Sequence, residues 1–225
     1  MLQNELLIGA AGWENENWID GFYPADLPED WRFGYYTNRL RSVLVPANLW
    51  QSPDVEAYIN TMLEDLYPEF RMVLQWELPV GDDAPAQARE FLERSHPVDE
   101  NVDAYLVKVA SQATGAGLQA VALLQQQHPV CLTAGDAQVG PGWSELEGVS
   151  LCWLADVQAQ PVVQGRFLVT LTSNTEPRGI REIIEKIDAW PEGLSSAQGA
   201  ALFFTNDKAA DTAFQARTIA ELMGV

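Results

Sequence analysis

Short apolar runs recur along the chain and predict eight strands. Most of these runs are continuously apolar rather than alternating, as in Val43-Leu44-Val45 and Leu202-Phe203-Phe204. Strands of a parallel sheet that is covered on both faces have this pattern, because neither face meets water. The runs lie at residues 5–9, 42–46, 70–77, 104–109, 129–133, 149–154, 166–172 and 200–205.

Segments with helical periodicity separate these runs. They lie at residues 29–40, 55–66, 84–94, 117–127, 180–190 and 209–223. Strands that alternate with helices from end to end predict an α/β fold with a parallel sheet. We therefore expect a single-domain TIM-like (β/α) barrel of seven or eight parallel strands over residues 1–225, with an open doubly wound sheet as the alternative.

One predicted connection is unusually short. About a dozen residues, 155–166, separate the sixth and seventh strands, and a parallel crossover needs at least that many. Pro161 lies within this segment, and a proline inside a helix removes one of its hydrogen bonds. We therefore expect the barrel to be irregular around strands six and seven, without a full crossover helix there.

The acidic composition argues against two classes of partner. The chain of 225 residues has 32 acidic and 13 basic residues and a formal net charge of −19. Such a surface repels phosphate backbones and anionic lipids, so we expect neither nucleic acid nor membrane as a partner. The first residues do not resemble a signal peptide. Cys131 and Cys152 lie within apolar runs and are expected to be buried and reduced, as in a cytoplasmic protein.

Two histidines are present, and both are expected to be structural. His96 and His128 each precede Pro-Val at the end of a predicted helix, which a barrel places at its amino-terminal face. Histidine triads and zinc sites therefore have no candidate. The segment Gly9-Ala-Ala-Gly12 lacks both the lysine of a P-loop and the GxGxxG spacing. We expect no cofactor and no metal.

Aromatic residues are concentrated near the start of the chain and at predicted strand ends. Trp13, Trp50 and Trp76 follow the first three predicted strands, at the face where barrels bind ligands. These rings either pack the barrel mouth against its helices or form a platform on which a ligand stacks. The candidate ligand-binding residues are Trp13, Trp18, Tyr23, Asn48, Trp50, Trp76, Asn206 and Asp207.

Three acids are weak candidates for catalysis. Glu77, Asp136 and Asp207 follow predicted strands at the same face, and a pair of carboxylates at suitable separation could hydrolyse a glycoside. The sequence does not give that separation. Asn206 and Asp207 also open the last predicted helix, where capping is the simpler interpretation.

The two ends of the chain resemble the YecE-like family, a family of TIM-barrel-like proteins of unknown function. The first end carries Ile8-Gly9-Ala-Ala-Gly12-Trp13, then Trp18, Gly21-Phe22-Tyr23-Pro24 and Tyr35-Tyr36. The last end carries Ala201-Leu-Phe-Phe-Thr-Asn206-Asp207. The resemblance implies the same barrel fold.

The same comparison implies that charged pocket residues of the family are replaced here. Leu44 stands where the family typically has glutamate, Pro46 where it has asparagine and Gln75 where it has lysine. The family's Glu-Phe-Arg in a middle strand is replaced by residues 131–133, and its Arg-x-His-Gly has no counterpart near residues 170–173. The resemblance thus implies a divergent member that retains the aromatic opening.

Three hypotheses for the function follow. The first is a degenerate, non-catalytic barrel that binds a small molecule or a protein partner at its aromatic mouth. The second is a carboxylate-dependent, hydrolase-like enzyme that uses Glu77, Asp136 or Asp207 at the carboxyl ends of the strands, with Asn48 and Asn206 as orienting groups. The third is an assembly surface, with a homodimer as the simplest form.

Overall fold

The structure, a computed structural model, describes residues 6–135, 139–192, 194 and 197–225. Along these residues nine strands form one parallel sheet in the order β6-β5-β4-β3-β2-β1-β9-β8-β7. The strands are β1 (Leu7–Ala11), β2 (Ser42–Val45), β3 (Arg71–Glu77), β4 (Val102–Lys108), β5 (Val130–Thr133), β6 (Ser150–Leu151), β7 (Trp153–Leu154), β8 (Phe167–Thr172) and β9 (Gly199–Phe204).

The two edges of this sheet are formed by adjacent stretches of chain, which nearly closes it into a barrel. β6 pairs with β5, and β7 pairs with β8. Between them, the Cys152 amide donates a hydrogen bond of 2.8 Å to the Leu132 carbonyl. The predicted strand 149–154 therefore occupies one position in the barrel. Before Cys152 it pairs with β5, and after Cys152 it pairs with β8. The TIM-like α/β barrel is confirmed, and the alternative of an open doubly wound sheet is wrong.

Helices follow most strands, as the periodicity predicts. They are α1 (Arg32–Thr37), α2 (Ala47–Gln51), α3 (Val55–Asp65), α4 (Ala84–Ser95), α5 (Gly115–Gln125), α6 (Pro141–Ser144), α7 (Pro177–Ala189) and α8 (Ala209–Met223). The predicted helix 29–40 is instead a 3-10 turn, Glu29–Trp31, followed by the short α1. Residues 155–166 form no helix, as expected. Among the helices described, none has both the length and the apolar composition needed to cross a membrane.

The core has two layers, one inside the barrel and one between the barrel and its helices. Consecutive residues of a strand point to opposite faces of a sheet. On β9, Phe203 belongs to the inner layer, whereas Leu202 and Phe204 pack in the outer one. The continuously apolar runs of the sequence therefore fill both layers at once.

The two predicted structural histidines lie near the ends of α4 and α5. His96 opens a 3-10 helix, His96–Asn101, directly after α4. His128 Nε2 lies 2.7 Å from Asp99 Oδ1, so this imidazole ties the end of α5 to the 3-10 helix. Both side chains lie near the amino-terminal ends of β4 and β5, on the face where the sequence places them.

The start of the barrel depends on a close contact between β1 and the first residue of β2. A Cβ atom at Gly9 would overlap the carbonyl oxygen of Ser42. The Tyr36 hydroxyl donates a 2.9 Å hydrogen bond to that same carbonyl and accepts one of 2.9 Å from the Ala10 amide. Glycine at position 9 and tyrosine at position 36 thus hold the two strands together.

Candidate functional site

A groove lies outside the mouth of the barrel, beside the loop that follows β1. Gly12 has φ +77°, a conformation that favours glycine, and it turns the chain out of the strand so that Trp13 enters this groove. Two adjoining cavities of about 450 Å³ and 730 Å³ share Trp13, Glu14 and Tyr58. We call the combined space the acidic groove. It also includes Glu16, Glu29, Asp30, Asn48 and Asp54.

The rings of the acidic groove come from two separate elements. Trp13 forms its floor, 4% exposed, with its ring edge against Phe33 at 4.9 Å between centroids. Tyr58, on α3, is 37% exposed and forms part of one wall. Asp54 precedes Tyr58 by four residues, and such spacing places both side chains on one side of a helix. The groove therefore offers an aromatic surface next to a carboxylate.

The charge of the groove is negative. Five carboxylates line it, and two of them pair with the guanidinium of Arg32, whose side chain is 7% exposed. Arg32 is already engaged, with Glu16 at 2.8 Å and Glu29 at 3.8 Å. Burial raises the pKa of Glu14 above its usual range, Arg32 partly offsets this, and Glu29 adds to the rise. Because burial disfavours the ionised form of this carboxylate, a bound cation stabilises that form more than it would stabilise a fully hydrated carboxylate.

Trp18 and Tyr23, two predicted ligand-binding residues, lie beneath the groove. The Tyr23 hydroxyl donates a 2.6 Å hydrogen bond to the Trp13 carbonyl, and Trp18 stacks on Tyr36 at 6.4 Å between centroids. Burial raises the pKa of Tyr23, so the phenol stays protonated. Both side chains are almost fully buried and support the loop that carries Trp13. A direct contact of either with a ligand stays a prediction.

Trp50 and Trp76 lie together in a different place. They pack on Phe91, with ring centroids 5.7 Å and 5.5 Å away, and are buried. With Glu77 and Arg94 they line a separate cavity of about 320 Å³ between β3 and α4. Asn48, by contrast, lines the acidic groove together with Trp13.

The predicted catalytic acids are distributed over the mouth. Glu77, half-exposed, pairs with Lys108 at 2.9 Å. Asp207 is exposed on the turn before α8, and β1 and β2 separate its strand from that of Glu77. Asn206 donates to the Ser173 carbonyl at 3.2 Å and accepts from the Lys208 amide at 2.7 Å, in the turn before α8. The N-cap of α8 is Lys208 and no described side chain caps the helix, so the capping interpretation of Asn206 and Asp207 is wrong. Asp136 lies outside the described residues.

Apolar side chains fill the inside of the barrel. Leu44, Leu106 and Phe203 pack there, and Leu171 packs against them. TIM barrels place catalytic side chains at the carboxyl ends of the strands, above this layer. Among the residues described, no three His, Cys, Asp or Glu side chains group so that they could hold a metal ion.

The sequence interpretation missed most of the acidic groove. Glu14, Asp54 and Tyr58 were not candidates, although Glu14 adjoins Trp13, and Asp54 and Tyr58 lie four residues apart at the start of a predicted helix. That spacing was the available signal. It was not sufficient, because polar residues at helical spacing also mark an ordinary solvent-facing surface.

Comparisons with known proteins identify a family and a fold. The model of the family described as "Protein of unknown function DUF72" matches residues 7–134, more than half of the chain. The match is consistent with the resemblance to the YecE-like family. Comparison with curated proteins finds no match.

Solved structures are similar over nearly the whole chain. A DUF72 family protein of Thermotoga maritima MSB8 is 14% identical with a TM-score of 0.69, covering 97% of this chain and 100% of its own. A DUF72 family protein of Enterococcus faecalis V583 is 13% identical with a TM-score of 0.58, covering 86% and 93%. D-psicose 3-epimerase of Clostridium cellulolyticum H10, solved with D-tagatose, is 9% identical with a TM-score of 0.52, covering 88% and 93%. At these identities the similarity shows the fold alone.

Proposed function

The chain belongs to the DUF72 family of proteins of unknown function, and we propose that it is a non-catalytic binding protein whose acidic groove holds a small organic cation. The observation that carries this proposal is the composition of the groove. Five carboxylates surround an exposed tyrosine and a buried tryptophan, and the guanidinium beside them is already paired. Ammonium groups bind over aromatic faces and beside carboxylates.

The size of the groove agrees with this ligand class. Its two cavities, about 450 Å³ and 730 Å³, fall in the range of ordinary small-molecule sites. Glu14, Asp30 and Asp54 have no ion-pair partner among the described residues, so their charges are free to meet a ligand.

A non-catalytic role is favoured over a carboxylate-dependent enzyme by where the candidate acids lie. Glu77 is paired with Lys108, and Asp207 follows β9, which β1 and β2 separate from the strand of Glu77. A general acid and a general base need to reach one substrate bond. A homodimer and a protein partner stay predictions.

The proposal is tested by calorimetric titration with choline, a monovalent cation that carries a quaternary ammonium group. We expect Tyr58→Ala to weaken choline binding by about 0.5–2 kcal/mol, the contribution of a cation–π contact. Glu14→Gln is expected to weaken it roughly tenfold, or about 1.4 kcal/mol, because the variant loses the coulombic attraction between the carboxylate and the ammonium charge.

Two controls separate a specific site from general attraction by a negative protein. Glu93→Gln removes one exposed carboxylate from α4, away from the groove, and should leave choline affinity unchanged. The neutral carbon analogue 3,3-dimethylbutanol should bind far more weakly than choline. Equal binding of the two probes, or equal losses in Glu14→Gln and Glu93→Gln, would contradict the proposal.

The pH dependence of choline binding gives an independent prediction. A carboxylate attracts a cation only when ionised, so affinity is full above the pKa of Glu14 and is lost as pH falls through it. Because burial raises this pKa, the loss should begin above the usual carboxyl range. In Glu14→Gln this first step should be absent from the titrations at successive pH values. Identical pH profiles for the two proteins would contradict the assigned role of Glu14.

A further inference from the structure

Another cavity has the opposite charge and lies at the end of the barrel opposite the acidic groove. Arg39 and Arg41 lie between α1 and β2, Arg217 projects from α8, and Tyr67 and Glu69 precede β3. These residues line a space of about 500 Å³ beside the amino-terminal ends of the strands. We call it the arginine pocket. Three of the 13 basic residues of a chain with net charge −19 therefore meet in one place.

Local hydrogen bonds hold two of the arginines in position. Arg39 Nη2 donates to the Tyr35 hydroxyl at 2.7 Å, and its guanidinium lies 5.1 Å from the centre of that ring. Arg217 Nη1 donates to the Arg39 carbonyl at 3.2 Å, and its side chain is 26% exposed. The partners of Arg39 here are neutral, so its positive charge is not cancelled.

Arg41 differs from Arg39 and Arg217 because its guanidinium has no partner among the described residues. It is exposed, and among the residues described it has neither an ion pair nor a side-chain hydrogen bond. Glu69 is the one acid among the residues lining the pocket. Burial raises the pKa of Tyr67, Arg41 and Arg217 partly offset this rise, and Glu69 adds to it.

We propose that the arginine pocket binds a phosphate group carried by a small molecule, with Arg41 as a principal ligand. Guanidinium groups present paired donors that match the oxygens of phosphate. Arg217 also pairs with Glu221 at 3.4 Å. Arg39 and Arg41 are therefore the cations of the pocket that have no acidic partner among the described residues. The volume of the pocket suits a small molecule. Nucleic acid is disfavoured as the source of the phosphate because the remaining surface of the protein would repel its backbone. The proposal is independent of the acidic groove.

The test is calorimetric titration of the full chain with inorganic phosphate, pyrophosphate and glycerol 3-phosphate at fixed ionic strength. We expect at least one of the three to bind. We expect glycerol 3-phosphate to bind more tightly than inorganic phosphate, whereas a preference for inorganic phosphate would contradict a small-molecule phosphoester and assign the pocket to the free ion. Arg41→Ala should weaken binding about tenfold or more, equivalent to about 1.4 kcal/mol.

The matched control is Arg178→Ala, which removes an arginine that is 92% exposed on α7. It should leave phosphate affinity unchanged. Arg41→Lys keeps the charge but loses the paired donors, so it should give an intermediate affinity, and it serves as the test variant if Arg41→Ala lowers stability. The absence of binding by all three probes would overturn the proposal, as would equal weakening in Arg41→Ala and Arg178→Ala. Self-association that Arg41→Ala abolishes, without phosphate binding, would assign the pocket to a second copy and overturn it as well.

Discussion

Phe203→Ala is expected to lower the free energy of unfolding by about 3–5 kcal/mol, the range for deleting a fully buried phenyl ring. The side chain lies inside the barrel, among Leu44, Leu106 and Val169. Hydrogen bonds between neighbouring strands hold these residues in place, so the surrounding wall has little freedom to close the space that the ring leaves. The measurement is equilibrium unfolding in urea, followed by tryptophan fluorescence.

The matched control for this variant is Phe214→Ala on α8, where the ring is 52% exposed. Removing it deletes the same atoms without opening an internal cavity, and the expected change is within about 0.5 kcal/mol. Similar losses in the two variants would show that the barrel interior is not packed as described.

Gly9→Ala is expected to cost about 3 kcal/mol, at the upper end of the range for adding one carbon to a packed site. The new Cβ atom would overlap the backbone oxygen of Ser42, and backbone is less able to move aside than a flexible side chain. Relief requires β1 to move away from the start of β2, which would also strain the hydrogen bonds of the Tyr36 hydroxyl. Thermal and urea unfolding measure the loss.

Gly115→Ala is the control for the glycine substitution. Gly115 begins α5, and a Cβ there would have no atom within 4 Å. An alanine that fits without strain stabilises a protein by about 0.4–1 kcal/mol, because it reduces the freedom of the unfolded chain. A neutral Gly9→Ala variant would mean that β1 and β2 do not approach as closely as described.

Residues at the start of the chain show why a family motif need not be a ligand site. Gly9, Gly12, Tyr23 and Tyr36 belong to the segments that resemble the YecE-like family. In the structure each has a mechanical role, in a close strand contact, a left-handed turn or a buried hydrogen bond. The motif therefore predicts the fold well and the ligand poorly.

The candidate site was only partly predictable. Trp13 and Asn48 do line the acidic groove, because the end of a barrel strand can be located from its apolar run. Asp54, directly before α3, and Tyr58, on α3, join them from more than forty residues beyond Trp13 in the chain. The arginine pocket was harder still to predict from the sequence, since Arg41 and Arg217 are separated by most of the chain.

The sequence by itself determined the α/β class, the positions of the strands and the apolar filling of the barrel, because these follow from which local segments are able to avoid water. The tertiary structure alone decided which charged side chains meet. Closure of the sheet gathers loop and helix residues into an acidic groove beside the mouth and arginines at the other end. It also buries Trp18 and Tyr23 beneath the loop of Trp13. The local charge of a site and the exposure of its side chains depend on neighbours that are distant in the chain, and the periodicity of the sequence does not predict those neighbours.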